Sequence, residues 1–248
     1  MIAIARFRRP PRWATGKRIA FRILPAIGLA LFADPAAAQL GGSIAVDSDY
    51  RLRGYSLTDD HPAVSAQLTY DHPSGFYIDL SALAELSRGD ARFLGVIANA
   101  GYAKRLSPHL TIDAGVLRSQ IRSAGRYSPP YEYTELYAGA FAGPVTARIY
   151  YSPDYRYYRQ STLYGELEAG FEPISAWRVS GHLGMLVYLN SASIYDAGTA
   201  HKDWRISITR QFGDFEIHTA LSGGGPTHYE GLWVHKRTAL TGGASVSF

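Results

Sequence analysis

From Lys236 the chain runs to a bare terminal phenylalanine, and the residue types in this last stretch keep a strict period of two. Counting back from Phe248, Val246, Ala244, Gly242, Leu240 and Thr238 alternate with Ser247, Ser245, Gly243, Thr241, Ala239 and Arg237. One face is apolar or small, and the other is polar, small and charged at one end. Such alternation describes a strand that divides two different environments. The same period recurs along the whole chain beyond residue 38, and no other regularity competes with it.

Beyond residue 38 no apolar run approaches the roughly 20 residues that a membrane-crossing helix needs. If the chain enters a bilayer, it must do so as a closed barrel, because only helices and barrels satisfy all their backbone groups in lipid. No Gly- or Ser-rich linker divides the 248 residues, and with no cysteine there is neither a disulfide framework nor a thiolate metal site. The formal charge of +4 is unevenly placed. Arg6, Arg8, Arg9, Arg12, Lys17, Arg18 and Arg22 precede residue 38 with one acidic residue, Asp34, which leaves 18 basic and 20 acidic residues, net −2, for the remainder. That excludes an electrostatic footprint for nucleic acid. The basic segment, the apolar stretch Ile23–Ala33 and the small residues up to Ala38 describe a secretory signal peptide, 1–38, cleaved to leave Gln39. The apolar stretch is short for an anchoring helix.

Residues 39–248 divide into segments of alternating residues. The first carries Ile44, Val46, Ser48, Tyr50 and Leu52 on one face and Asp47, Asp49, Arg51 and Arg53 on the other. Eleven more follow, most of nine to eleven residues by our reading, the length a tilted strand needs to cross lipid. In the fourth, Leu94, Val96, Ala98, Ala100 and Tyr102 share a face. Short turns, such as Pro73-Ser-Gly75 and Gly213-Asp214, alternate with connections that are mostly long and polar, as in outer-membrane proteins with short periplasmic turns. Tyr70, Phe76, Tyr102, Phe141, Phe171, Trp177, Phe212 and Phe215 flank the short turns at the level of Phe248, as an aromatic girdle would. Tyr50, Tyr151, Tyr188, Trp204 and Trp233 lie towards the other end. The expected fold is all-β: a transmembrane antiparallel β-barrel of about twelve strands, of the Gram-negative outer-membrane type, with both termini periplasmic. An apolar strand ending in phenylalanine resembles the closing strand of such barrels, so Phe248 is expected to act as a membrane-assembly signal.

Several strings carry a more specific resemblance: Ser48-Asp-Tyr-Arg-Leu-Arg-Gly54, Ser74-Gly-Phe-Tyr77, Tyr133-Thr-Glu-Leu-Tyr-Ala-Gly139, Tyr150-Tyr-Ser-Pro-Asp-Tyr155 and Leu163 to Phe171. They resemble those of the TorF family of outer-membrane porins, over roughly Gly42 to Phe248, although Leu52 stands where a Phe is expected. The resemblance implies a barrel and passive transport, and it brings neither a substrate nor catalytic residues.

The inward candidates, read as pore-lining, are Asp47, Asp49, Arg51, Arg53, Asp79, Glu85, Asp113, Glu135, Arg148, Glu166, Glu168, Arg178, His182, Arg205, Glu216, His218 and Arg237. In a pore their charges would set ion preference; in a filled lumen they would pair across strands. Eight strands are filled by side chains and sixteen leave a channel, so twelve predicts a narrow pore. Arg51 and Arg53 are expected at its constriction, with Arg148 opposite. Asp47, Asp49, Asp59 and Asp60 are oxygen ligands of the kind calcium takes, but the neighbouring arginines argue against a metal, and no cofactor is expected. Enzymes acting on lipid from such a barrel need a Ser and a His on its outer surface; His182 and His218 fall inside and no G-x-S-x-G is present, so no catalysis is expected. The loop Tyr155–Arg159 has a composition suited to an adhesive surface. The expected function is therefore passive diffusion of small hydrophilic solutes or ions, with outer-membrane lipid, lipopolysaccharide and the barrel-assembly machinery as partners. A lipid-acting enzyme or a non-conducting structural barrel is the alternative.

Overall fold

Alternation leaves each segment one face to bury and one to expose, and its backbone needs partners on both edges. Both demands are met by closing the sheet on itself. The computed structural model describes residues 39–87, 90–122, 131–156, 160–190, 200–224 and 238–248. The signal segment, Arg237 and Trp233 therefore lie outside the described residues.

The strands are β1 (Gln39–Asp47), a short hairpin of β2 (Arg51–Leu52) and β3 (Tyr55–Ser56), β4 (Ala63–Asp71), β5 (Phe76–Ser87), β6 (Asp90–Ser107) and β7 (Leu110–Ile121). They continue with β8 (Tyr131–Ala142), β9 (Val145–Tyr155), β10 (Gln160–Ile174), β11 (Trp177–Tyr188), β12 (Ala200–Phe212), β13 (Phe215–Gly224) and β14 (Thr238–Ser247). Apart from the β2–β3 hairpin, the twelve strands form one closed antiparallel barrel, with β1 between β14 and β4. At the seam Ile44 faces Val246 and Asp47 faces Gly243. Phe248 extends this pairing: its N–H donates to the Gly42 carbonyl at 3.0 Å and the Gly42 N–H donates to its carbonyl at 2.9 Å. Its ring lies outward over Gly42, in space that a Cβ there would occupy.

Both chain ends of the barrel lie at one rim, here the near rim, with the turns 72–75, 108–109, 143–144, 175–176 and 213–214. Gly143 and Gly213 take positive φ in two of them, as tight hairpins demand. The far rim carries the connections 48–62, 122–130, 156–159, 189–199 and 225–237; the link between β5 and β6, residues 88–89, is the short exception. Outward, Leu40, Ile44, Leu68, Ile78, Leu80, Ile149, Leu167, Leu183, Ile206, Ile208, Ile217 and Leu240 stay exposed. A continuous apolar belt of this kind belongs in hydrocarbon rather than water. Tyr70, Phe76, Tyr102, Phe171, Phe212, Phe215 and Phe248 are exposed at its near edge.

The structure corrects the sequence reading at several points. β1 ends at Asp47, so Asp49, Arg51 and Arg53 do not climb the wall. At β6 the register shifts between Leu83 and Ala84, with Gly95 at φ 146°. This bulge sends Leu94 inward, away from the face of Val96. β6 also outruns its expected length, at 18 residues. Phe141 shares the inward parity of Tyr137 and lies under the Arg148 guanidinium instead of joining the girdle. Tyr50 and Tyr188 are buried inside, and only Tyr151 is exposed among the described aromatics expected at the far edge.

Candidate functional site

The most consequential departure is the segment 48–62. It does not stand above the far rim but folds down into the lumen. Leu57 and Thr58 are fully buried, and Tyr50, Leu52 and Leu57 join inward Leu83, Leu94, Ile97, Leu117, Ile121 and Leu186 in one apolar cluster. Asp49 organises the segment from within: it accepts hydrogen bonds from Ser56 Oγ, from Thr58 Oγ1 at 3.0 Å and from Arg51 Nη1 at 3.1 Å. The Tyr50 N–H donates to Thr58 Oγ1 at 3.0 Å and the Leu57 N–H to the Tyr50 carbonyl at 2.8 Å. Arg51 folds back on the segment, donating to the Gly54 carbonyl at 2.8 Å.

At its tip, β2 and β3 are joined by Arg53-Gly54, with φ of 49° and 80°. Positive φ at both central residues is the tight turn that favours Asn-Gly, and a long side chain is uncommon there. The tip drives Arg53 into the wall. Its Nη1 and Nη2 donate to Glu135 Oε1 and Oε2 at 2.7 and 2.8 Å, a two-pronged, charge-assisted pair. The guanidinium carbon lies 3.9 Å from the ring centre of Tyr164, 5.3 Å from Tyr150 and 5.7 Å from both Tyr133 and Tyr155. Glu135 is 0% exposed. Burial alone would depress the arginine, but Glu135, with the Tyr133 and Tyr155 hydroxyls, outweighs it and holds the group well above its usual range. Tyr50 is pushed up to about 12, by burial first and by Asp47 second.

Below the tip, inward polar residues of β4 to β12 form two networks. In one, Arg148 donates to Asp113 at 2.6 Å, Tyr77 donates to Asp113 at 2.9 Å, and Tyr77 meets Tyr137. Tyr137 donates to Asn99 at 2.8 Å, Asn99 to Asp79 at 3.2 Å, and Thr69 to Asp79 at 2.8 Å. Gly101 and Gly115 lie under the two tyrosines, where any Cβ would collide with them. In the other, Tyr150 donates to Glu166 at 2.7 Å, His182 contacts Asp203 at 2.9 Å and Glu168 at 3.3 Å, and Arg205 reaches Glu168 at 3.2 Å. The opposite wall is built differently. Ser43, Ala45, Ser65, Gln67, Thr241, Gly243 and Ser245, inward on β14, β1 and β4, are small or short for the most part, and all stay half-exposed. The described lumen is thus lopsided in side-chain size: bulky where the tyrosines and the folded-in segment meet, and lined by small, partly buried residues along the seam.

A family model described as a bacterial protein of unknown function, Gcw_chp, matches residues 33–222. The chain belongs to the Gcw_chp family. No curated protein matches it. Among solved structures, the KdgM porin matches with a TM-score of 0.51 at 11% identity, covering 84% of this chain and 99% of that one. The NanC porin matches with a TM-score of 0.50 at 10% identity, over 84% and 98%. The likeness is one of fold.

Within this Gcw_chp chain the expected site residues separate into groups. Asp79, Glu85, Asp113, Glu135 and Arg148 are inward and buried, and Asp47, Glu166, Glu168, Arg178, His182, Arg205, Glu216 and His218 inward and half-buried. Glu85 pairs with Arg92 at 3.0 Å, His218 with Asp47 at 2.8 Å, and Arg178 with Glu172 at 3.1 Å beside a near-rim turn. Arg148 is engaged by Asp113 and does not face Asp47 or Asp49, and Arg51 is engaged by Asp49 of its own segment. Asp47, Asp49 and Asp60 go to His218, to the segment's hydroxyls and to Arg51 respectively. The sequence reading missed the tyrosines around Arg53. The signal was present: Glu135 is expected inward, and Tyr133 and Tyr137 share its parity, but only charged residues were carried into the expected lining. Arg53-Gly54 between Leu52 and Tyr55 also signalled a hairpin.

Proposed function

We propose that the chain is an outer-membrane channel, with the near rim periplasmic, through which small hydrophilic solutes or ions diffuse past the folded-in segment 48–62. The observation that carries this reading is the wall of small and polar side chains along β14, β1 and β4, which stays only partly buried among the described residues. Water reaching that wall supplies a path, and Asp47 on it, with the Glu168–Arg205 pair on the facing strands, supplies a field across it. The KdgM and NanC porins use the same fold, and the resemblance to the TorF porins points the same way. We read the chain as a channel and not an enzyme: His182 and His218 face inward and contact carboxylates. On this reading outer-membrane lipid and lipopolysaccharide surround the belt, and the barrel-assembly machinery receives the strand that ends in Phe248.

Liposome swelling tests the proposal. Refolded protein should admit small neutral and zwitterionic solutes and exclude oligosaccharides. Swelling no faster than that of protein-free vesicles for every solute would leave a structural barrel.

A further inference from the structure

The wall of β8, β9 and β10 supplies a complete site to which the inward segment contributes only one group. Glu135 from β8 is fully buried, and among the described residues it accepts hydrogen bonds from Arg53 alone. Tyr133, Tyr150, Tyr155 and Tyr164 present their rings to the same point from three adjacent strands. The rings also support one another: Tyr133 and Tyr155 lie 4.8 Å apart, and Tyr150 and Tyr164 5.9 Å apart. A carboxylate within aromatic faces, shielded from water, attracts a cation by charge and by the ring quadrupoles together. A planar fork that can use both carboxylate oxygens fits it better than a point charge.

We infer that this is a cation-binding cage for guanidinium-bearing solutes, and that Arg53 is a tethered occupant which such a solute can replace. The tether favours Arg53, since a linked group competes at a high effective concentration. The turn works against it, because φ of 49° suits Asn better than Arg. When Arg53 leaves, Glu135 loses its only described hydrogen-bond donor and must take another cation or a proton. Replacement would also release the hairpin tip from the wall. The cage itself does not depend on whether the barrel conducts.

Arg53→Asn is the informative variant, since it keeps a residue favoured in the turn and empties the cage. Methylguanidinium chloride serves as the probe, titrated into the refolded full chain in detergent against sodium chloride at equal ionic strength. Tyrosine fluorescence and calorimetry report binding. The R53N protein should bind saturably at millimolar concentrations, with methylammonium weaker, and the R53N/E135Q double variant should not bind. Wild type should need at least about tenfold more probe, because Arg53 competes from its tether. Absence of saturable binding in R53N, or equal binding in R53N and R53N/E135Q, would overturn the cage. If R53N does not refold, chymotrypsin cleavage after Leu52 and Tyr55 in wild type replaces it as the test. Methylguanidinium should accelerate that cleavage beyond the salt control, and an unchanged rate would overturn the proposal.

Discussion

Arg53 combines two unfavourable features, a buried charge and a left-handed backbone, and both persist because Glu135 meets it with two hydrogen bonds. Removing one partner of such a pair leaves the other charged and desolvated. Glu135→Gln keeps the shape and should therefore destabilise the barrel by about 3–5 kcal/mol. Urea unfolding in detergent measures it, and a loss within error of zero would mean that the pair is solvated. Tyr50 sets a second, pH-dependent limit. Its folded pKa is raised to about 12 from an unfolded value near 10, so the neutral form is the one the fold favours. Its contribution should be intact below pH ~10 and lost as pH rises through about 12. The urea midpoint in detergent should then fall between those values in wild type and less so in Tyr50→Phe; identical profiles would exclude Tyr50 as the cause. Of these residues, Arg53 was legible as an inward basic group, though by an alternation that outlasts β1 only by coincidence. Its partners were not, because contact between residues 53 and 135 depends on where a loop folds, and alternation says nothing of loops.

At the scale of elements, the twelve wall strands were legible for a simple reason: lipid outside and water inside impose opposite polarity on successive residues, and that constraint holds along each crossing. Where it lapses, the reading failed. Alternation continues by coincidence from Ile44 to Leu52, yet the pairing stops at Asp47 because Asp49 finds Ser56 and Thr58 on its own segment. The bulge before Gly95 likewise reverses the parity that had put Leu94 outward. Phe141 was misplaced because proximity to a turn was given more weight than its parity with Tyr137. The closing strand, by contrast, was read with the correct faces throughout its described length. Phe248 completes it with two backbone bonds to Gly42 and a ring over the same residue. Deleting Phe248 should therefore lower the amount of barrel assembled in the membrane while leaving the properties of the assembled barrels unchanged. Heat-modifiable mobility of the membrane fraction measures the first, and normal levels of the truncated protein would contradict it.

Across the whole molecule, the barrel is lopsided. Tyrosines and the inward segment crowd the side of β5 to β12, and small, partly buried residues line the seam of β14, β1 and β4. A strand count of twelve predicted a narrow lumen without saying how it was narrowed, since the wall alone does not reveal an occupant. On the proposed function, segment 48–62 sets the width. Replacing residues 48–62 with a short turn between β1 and β4, and comparing single-channel conductance in planar bilayers with wild type, tests this most directly. Wild type should show a small conductance and the excised protein a severalfold larger one, with both inserted equally. Equal conductances, or silence from both, would contradict it.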